Sequence, residues 1–171
     1  MHQERFGVPG HEQRNMGGMY MYTTFEGELE RSGKLAYTNV GVSMLPLIRQ
    51  GKDVMVIEKA DTYRPLDAVL FRRKGVTGRG AYVLHRILKI MPDGKYWIVG
   101  DNCVSGELVD RENILGLLTG VSRNGKLIKN TDFRYHAYVR LWCAPYPVRF
   151  FILRALRLVR RVKRRFIKRR H

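Results

Sequence analysis

The chain has only two cysteines in 171 residues, Cys103 and Cys143, too few for a disulfide framework. Their positions suggest no metal-ligand spacing, and no cofactor or metal is expected. A reducing compartment fits this usage, with a single bridge between the two left open. Cys103 reads as an ordinary half-buried thiol; its place just after Asp101 leaves redox sensitivity as the alternative. No stretch of eighteen consecutive apolar residues occurs, so no good membrane-spanning helix is expected. The first residues hold no apolar run of signal-peptide length. No helix-turn-helix pattern precedes Ser43, which weighs against a DNA-reading role. Acidic residues are missing from the end: 133–171 hold thirteen Lys or Arg and no Asp or Glu. The preceding 132 residues hold nineteen basic and fifteen acidic side chains, so the net charge of +17 belongs mainly to the tail.

What is present reads as one domain with tails. Residues 1–22 are polar and glycine-containing and are expected to form a flexible leader. Residues 23–132 form the body, and 133–171 form a basic tail. In the body, Thr24 to Arg31 reads as a short acidic helix with a solvated face, ending at Gly33. Apolar alternation and turn residues then predict strands over 35–42, 53–59, 67–72, 81–91, 95–99, 112–121 and 126–128. Pro92-Asp93-Gly94 and Asn124-Gly125 are turns between consecutive strands. The expected fold is mainly β, compact and coiled like a barrel, with a short N-terminal helix and a C-terminal basic amphipathic helix.

Three segments carry candidate chemistry. Gly41-Val42-Ser43-Met44-Leu45-Pro46 presents a serine at the end of a strand. Leu84-His85-Arg86-Ile87 presents a histidine within one, and Gly100-Asp101-Asn102 follows the next. A serine hydroxyl needs a neighbouring base to become a nucleophile, and the base works best when a third group orients it. Taken alone, Ser43 is a turn serine and His85 a hydrogen-bonded strand histidine; the three segments together favour the catalytic reading. A hairpin at Pro92-Asp93-Gly94 would return Asp101 alongside His85. Lys89 is a rival base expected on the same strand face, about 13 Å from His85 at ~3.3 Å per residue. A histidine is largely neutral at pH 7 and can accept a proton, whereas a lysine needs strong desolvation. Gly41 is expected to permit close backbone approach.

The Ser43-Met44-Leu45-Pro46, His85-Arg86-Ile87 and Gly100-Asp101-Asn102 boxes, in that order, resemble the signal peptidase I and repressor self-cleavage superfamily of serine peptidases. The histidine places the resemblance with the eukaryotic and archaeal signal peptidase variant, here without an N-terminal membrane anchor. It covers roughly residues 36–122. It implies a serine endopeptidase in which Ser43 attacks, His85 is the base and Asp101 orients it. Many relatives carry a hydroxyl residue two before the nucleophile; Gly41 stands there, so the oxyanion hole would rest on backbone amides including that of Ser43. Asp110, followed by Arg111, is either a second orienter or an ion-pair partner. The implied substrate is an extended peptide with small residues before the cut. The alternative is a catalytically silent peptide-binding or regulatory module at the membrane surface.

From Tyr146 the pattern changes. Val148, Ile152, Ala155, Val159, Val162 and Phe166 recur at helical spacing, with arginines on the other faces. Over 147–171 this reads as a basic amphipathic helix lying on an anionic membrane surface. The competing reading packs the apolar stripe on the body. Nucleic acid is disfavoured, because stacking aromatics are not interleaved with the basic residues. These features set the expectation of a cytoplasmic protein held peripherally on the inner face of the membrane.

Overall fold

The computed structural model describes residues 24–38, 41–77 and 81–168; the expected leader over 1–22 lies outside them. Helix α1 spans Phe25–Ser32. The Thr24 hydroxyl accepts from the Gly27 N–H at 3.1 Å, and Gly33 closes the helix in the left-handed region at φ 70°. Its acidic face is engaged rather than merely solvated: Tyr82 donates to Glu26 at 2.7 Å, Arg31 pairs with Glu28, and Lys59 pairs with Glu30.

Eight strands follow: β1 (Lys34–Thr38), β2 (Asp53–Glu58), β3 (Ala68–Arg72), β4 (Tyr82–Ile90), β5 (Tyr96–Val99), β6 (Gly106–Val109), β7 (Ile114–Arg123) and β8 (Lys126–Lys129). All pairings are antiparallel, in the order β1-β2-β7-β3-β4-β5-β6, with β8 on β7. β1 and β6 stand at the two ends of that order and do not pair, so the sheet is open rather than closed into a barrel. Two further helices complete the fold. Helix α2 (Phe133–Tyr138) runs into a wider π turn over Val139–Cys143, and α3 spans Tyr146–Lys168.

Each face of the sheet buries its own core, because successive strand residues point to opposite sides. One core gathers Leu35, Met44, Ile48, Met55, Leu70 and Leu84 beneath Leu29 of α1, closed by Tyr135, Val139 and Cys143. The other gathers Tyr63, Val69, Phe71, Ile87, Ile98 and Ile114. The expected basic tail over 133–171 contributes part of its length to the body. Residues 135–143 complete the first core, and Arg149 and Leu153 of α3 are also buried.

Three irregularities in pairing shape the site. β2 meets β7 with a shift at Val56/Ile57, β3 meets β7 with one at Leu70/Phe71, and β4 meets β5 with one at Ile87/Lys89. The last leaves Leu88 as an extra residue, so Ile87 opposes Ile98 while Lys89 opposes Trp97. The bulge thereby turns Lys89 away from the face that carries His85, and Lys89 is exposed. Lys89 is removed as a rival base.

Candidate active site

The serine box forms a tight turn after β1. Gly41 adopts φ 129°, a conformation that residues with side chains rarely take, while a Cβ there would meet open space. The need for glycine at position 41 is conformational, and not the close approach expected from sequence. Ile48 N–H bonds Met44 O at 2.9 Å, and Met44 and Ile48 are fully buried, which fastens the turn to the first core. Ser43 itself is half-buried.

Close approach occurs instead at Gly100. A Cβ built there would lie 2.8 Å from the Ser43 carbonyl oxygen, 2.8 Å from Cys103 Sγ and 3.0 Å from His85 Cδ2. One point at the end of β5 thus touches both the serine turn and the histidine ring. The adjoining loop grips the serine turn directly. Asn102 N–H donates to Ser43 O at 2.7 Å, and Asn102 Nδ2 donates to Val42 O at 3.0 Å. The Gly100-Asp101-Asn102 box therefore holds the backbone of the serine turn. The Ser43 N–H makes no hydrogen bond among the described residues, so it remains a possible donor to an oxyanion. No hydrogen bond joins the Ser43 hydroxyl to His85 in this structure.

His85 is only 6% exposed and packs against Phe71, with ring centroids 6.0 Å apart. Its Nδ1 is enclosed, without a hydrogen bond, and stands 3.6 Å from Glu107 Oε1. Glu107 belongs to β6. Ile87 opposes Ile98 and Ile98 opposes Glu107, so Glu107 and His85 share one face of the sheet. Arg73 holds the Glu107 carboxylate in a fork, with Nε at 2.9 Å and Nη2 at 2.6 Å. Burial would raise the Glu107 carboxyl, but the Arg73 fork and the neighbouring imidazole outweigh it and bring it to about 2. A fixed carboxylate thus faces the imidazole.

Asp101 does not occupy that position, and this corrects the role expected for it. Its fully buried carboxylate takes a bidentate contact from Arg86, at 2.8 Å and 2.7 Å, and a bond from the Tyr138 hydroxyl at 2.9 Å. Arg149 approaches it at 3.5 Å. Arg86 follows His85 in β4 and so points to the opposite face, toward the first core. Asp101 accompanies Arg86 there. Burial works against the Arg86 charge, but Asp101 holds its guanidinium well above the usual range. Asp110 is an ion-pair partner: Lys74 donates to it at 2.8 Å, and no contact joins it to His85.

The C-terminal helices hold the same loop from outside. Trp142 Nε1 donates to Asp101 O at 3.2 Å, the Tyr146 hydroxyl to Val104 O at 3.3 Å, and Arg157 Nη2 to Asn102 O at 3.0 Å. Neither these contacts nor Glu107 were found by sequence reasoning. Glu107 lies in the short Gly106–Val109 run, whose pairing with β5 sets it opposite Ile98.

Cys103 and Cys143 are free thiols. Burial raises both, Cys143 to about 12, so neither is poised as a thiolate at neutral pH. Among the described residues no cluster of His, Cys, Asp or Glu could hold a metal ion. An open depression of about 320 Å³, lined by Glu26, Glu30, Lys59, Tyr63, Arg111 and Glu112, lies apart from Ser43 and His85. No family model matches the chain, and no curated protein or solved structure matches it either.

Proposed function

We propose that this chain is a serine endopeptidase of the signal-peptidase-like kind, with Ser43 as nucleophile and His85 as base. The observation that carries the proposal is the joint approach of the Ser43 backbone and the His85 ring to Gly100. In this reading Ser43 Oγ attacks the scissile carbonyl as its proton passes to His85. The imidazolium then protonates the leaving amine, the C–N bond breaks, and a serine ester remains. Water, deprotonated by His85, attacks that ester and restores Ser43 with release of the acid product. Glu107 orients His85 and stabilises the charged ring; Asp101 holds Arg86 and the loop under Ser43. The Ser43 N–H is a donor for the developing oxyanion. β6, the edge strand that carries Glu107, pairs only with β5 among the described residues and offers its outer backbone to an extended peptide. A coiled signal-peptidase-type body is the finer fold that this reading implies.

The missing hydrogen bond between Ser43 and His85 favours a second reading, a peptide-binding module without catalysis. Catalytic hydrogen bonds are often loose before substrate binds, which keeps the first reading ahead. The two are separated by incubating the purified chain with a mixed library of extended peptides and reading fragments by mass spectrometry. Cleavage that disappears in Ser43→Ala is the expected result. Peptide retention without cleavage, equal in wild type and Ser43→Ala, would replace the enzyme by the binding module.

A further inference from the structure

Helix α3 sits on the body by its basic side. Arg149 and Leu153 are buried, Arg149 beside Asp101, and Arg157 reaches Asn102 O at 3.0 Å. These positions fall on one face of the helix. The opposite face carries Val148, Phe151, Ile152, Ala155, Leu158 and Val159, and it is turned outward. Apart from Ala155, also exposed, these side chains are between 42% and 68% exposed. The packing is thus the reverse of an ordinary amphipathic helix, which buries its apolar stripe in the core. An outward apolar stripe of this size calls for an occupant.

We infer that the occupant is an anionic lipid surface, with α3 lying in the plane of the membrane interface. Charge decides among the candidates. The helix has nine Lys or Arg and no acidic residue. Arg154 and Arg161 stand along one border of the stripe and Lys163 along the other, all exposed. Their apolar stems can lie along the stripe while the charged ends reach phosphates. A second copy of the chain would bring two such arginine arrays side by side without a counter-charge. A nucleic acid would meet the arginines but leave the apolar stripe in water. An interface with acyl chains below and phosphates at the level of the arginines satisfies both. The helix need not cross the bilayer, and no helix among the described residues is long and apolar enough to do so. The inference stands on the helix alone and does not depend on Ser43 being a nucleophile. If Ser43 is one, the Arg157–Asn102 contact sets its turn about one helix diameter, ~10 Å, from the lipid surface.

The test is sedimentation of the full chain with vesicles of phosphatidylcholine alone and of phosphatidylcholine with phosphatidylglycerol, at low and high salt. Anionic vesicles should bind the chain at least about tenfold more tightly than neutral ones, with the difference shrinking in salt. Phe151→Asp with Leu158→Asp, on the outward face where the fold is not at risk, should weaken anionic binding by about a hundredfold. Arg154→Gln with Arg161→Gln should weaken it by about tenfold and flatten the salt dependence. Circular dichroism of each variant confirms the fold. Failure of the wild type to bind anionic vesicles overturns the inference. So does unchanged binding by the Phe151→Asp, Leu158→Asp variant. A lipid-free dimer abolished by Phe151→Asp, in a chain that ignores vesicles, would assign the stripe to a second copy. Retention on DNA without retention on vesicles would assign the helix to nucleic acid.

Discussion

Gly100 is the residue at which the serine turn and the histidine strand meet. A methyl group at this position has no room, with the Ser43 carbonyl and Cys103 Sγ each at 2.8 Å. Gly100→Ala should therefore push the serine turn off the β5 end, at a cost of about 1–3 kcal/mol in denaturant unfolding. Covalent labelling of Ser43 should fall far more than stability does. The two acids near this point should separate by phenotype. Asp101→Asn leaves Arg86 and Arg149 buried against a neutral partner and should destabilise the fold by about 3–5 kcal/mol in denaturant unfolding. Glu107→Gln removes a partly exposed carboxylate forked by Arg73, so it should cost about 1–2 kcal/mol in denaturant unfolding, less than Asp101→Asn. Its labelling rate should drop about tenfold to a hundredfold, because His85 loses the charge that faces it. Equal labelling rates in Glu107→Gln and wild type would remove Glu107 from the site. At this scale the convergence of the Ser43 turn and the His85 strand was legible in the sequence, because each segment adjoins a strong apolar alternation. The partner of His85 was not, because Asp101 and Glu107 lie on opposite faces of the sheet, and a hairpin argument fixes proximity but not face.

The strands illustrate the same limit. The alternation in 53–59, 67–72, 81–91 and 95–99 is strong enough that each strand stands within two residues of its expected bounds. β6 has four residues and only two large apolar side chains, too short to declare itself. The Leu88 bulge is set by how β4 meets β5, which no single-strand pattern encodes, and it is what moved Lys89 off the His85 face. A structural ion cluster at the start of β2 was likewise hidden in the sequence. Asp53 is fully buried and accepts from Arg123 at 2.7 Å and from Arg49 N–H at 2.9 Å. Burial opposes its charge, but the Arg123 and Arg49 contacts prevail and hold its carboxyl at about 2, against an ordinary 3.8. A depressed carboxyl stabilises the fold above its unfolded pKa and loses that contribution as pH falls toward the folded value. The stability advantage of wild type over Asp53→Asn, measured by urea unfolding, should therefore shrink by about 2 kcal/mol between pH 6 and pH 2. A difference that stays constant across this range would show that Asp53 is not held ionised by the two arginines.

Across the whole molecule, charge and function divide along the chain, though not where composition divides it. The basic run begins at residue 133, yet residues up to Leu153 are built into the body. α2, its π turn and the first half of α3 act as a brace. Tyr138, Trp142, Tyr146 and Arg157 all bond the loop between β5 and β6, whose Asn102 holds Ser43. Periodicity identified the α3 stripe but could not orient it, because the pattern is the same whether the stripe faces the core or solvent. Arg149, buried beside Asp101, decides the orientation by fixing the basic side inward. This brace supports the site that joins the Ser43 turn to His85. Its most direct measurement is reaction of the purified chain with a serine-directed, peptide-like covalent probe, read by intact mass for wild type, Ser43→Ala and His85→Ala. A single adduct on wild type, located at Ser43 and absent from both variants, is the predicted result. An unmodified wild type across several probe shapes, or an adduct that persists in Ser43→Ala, would contradict it.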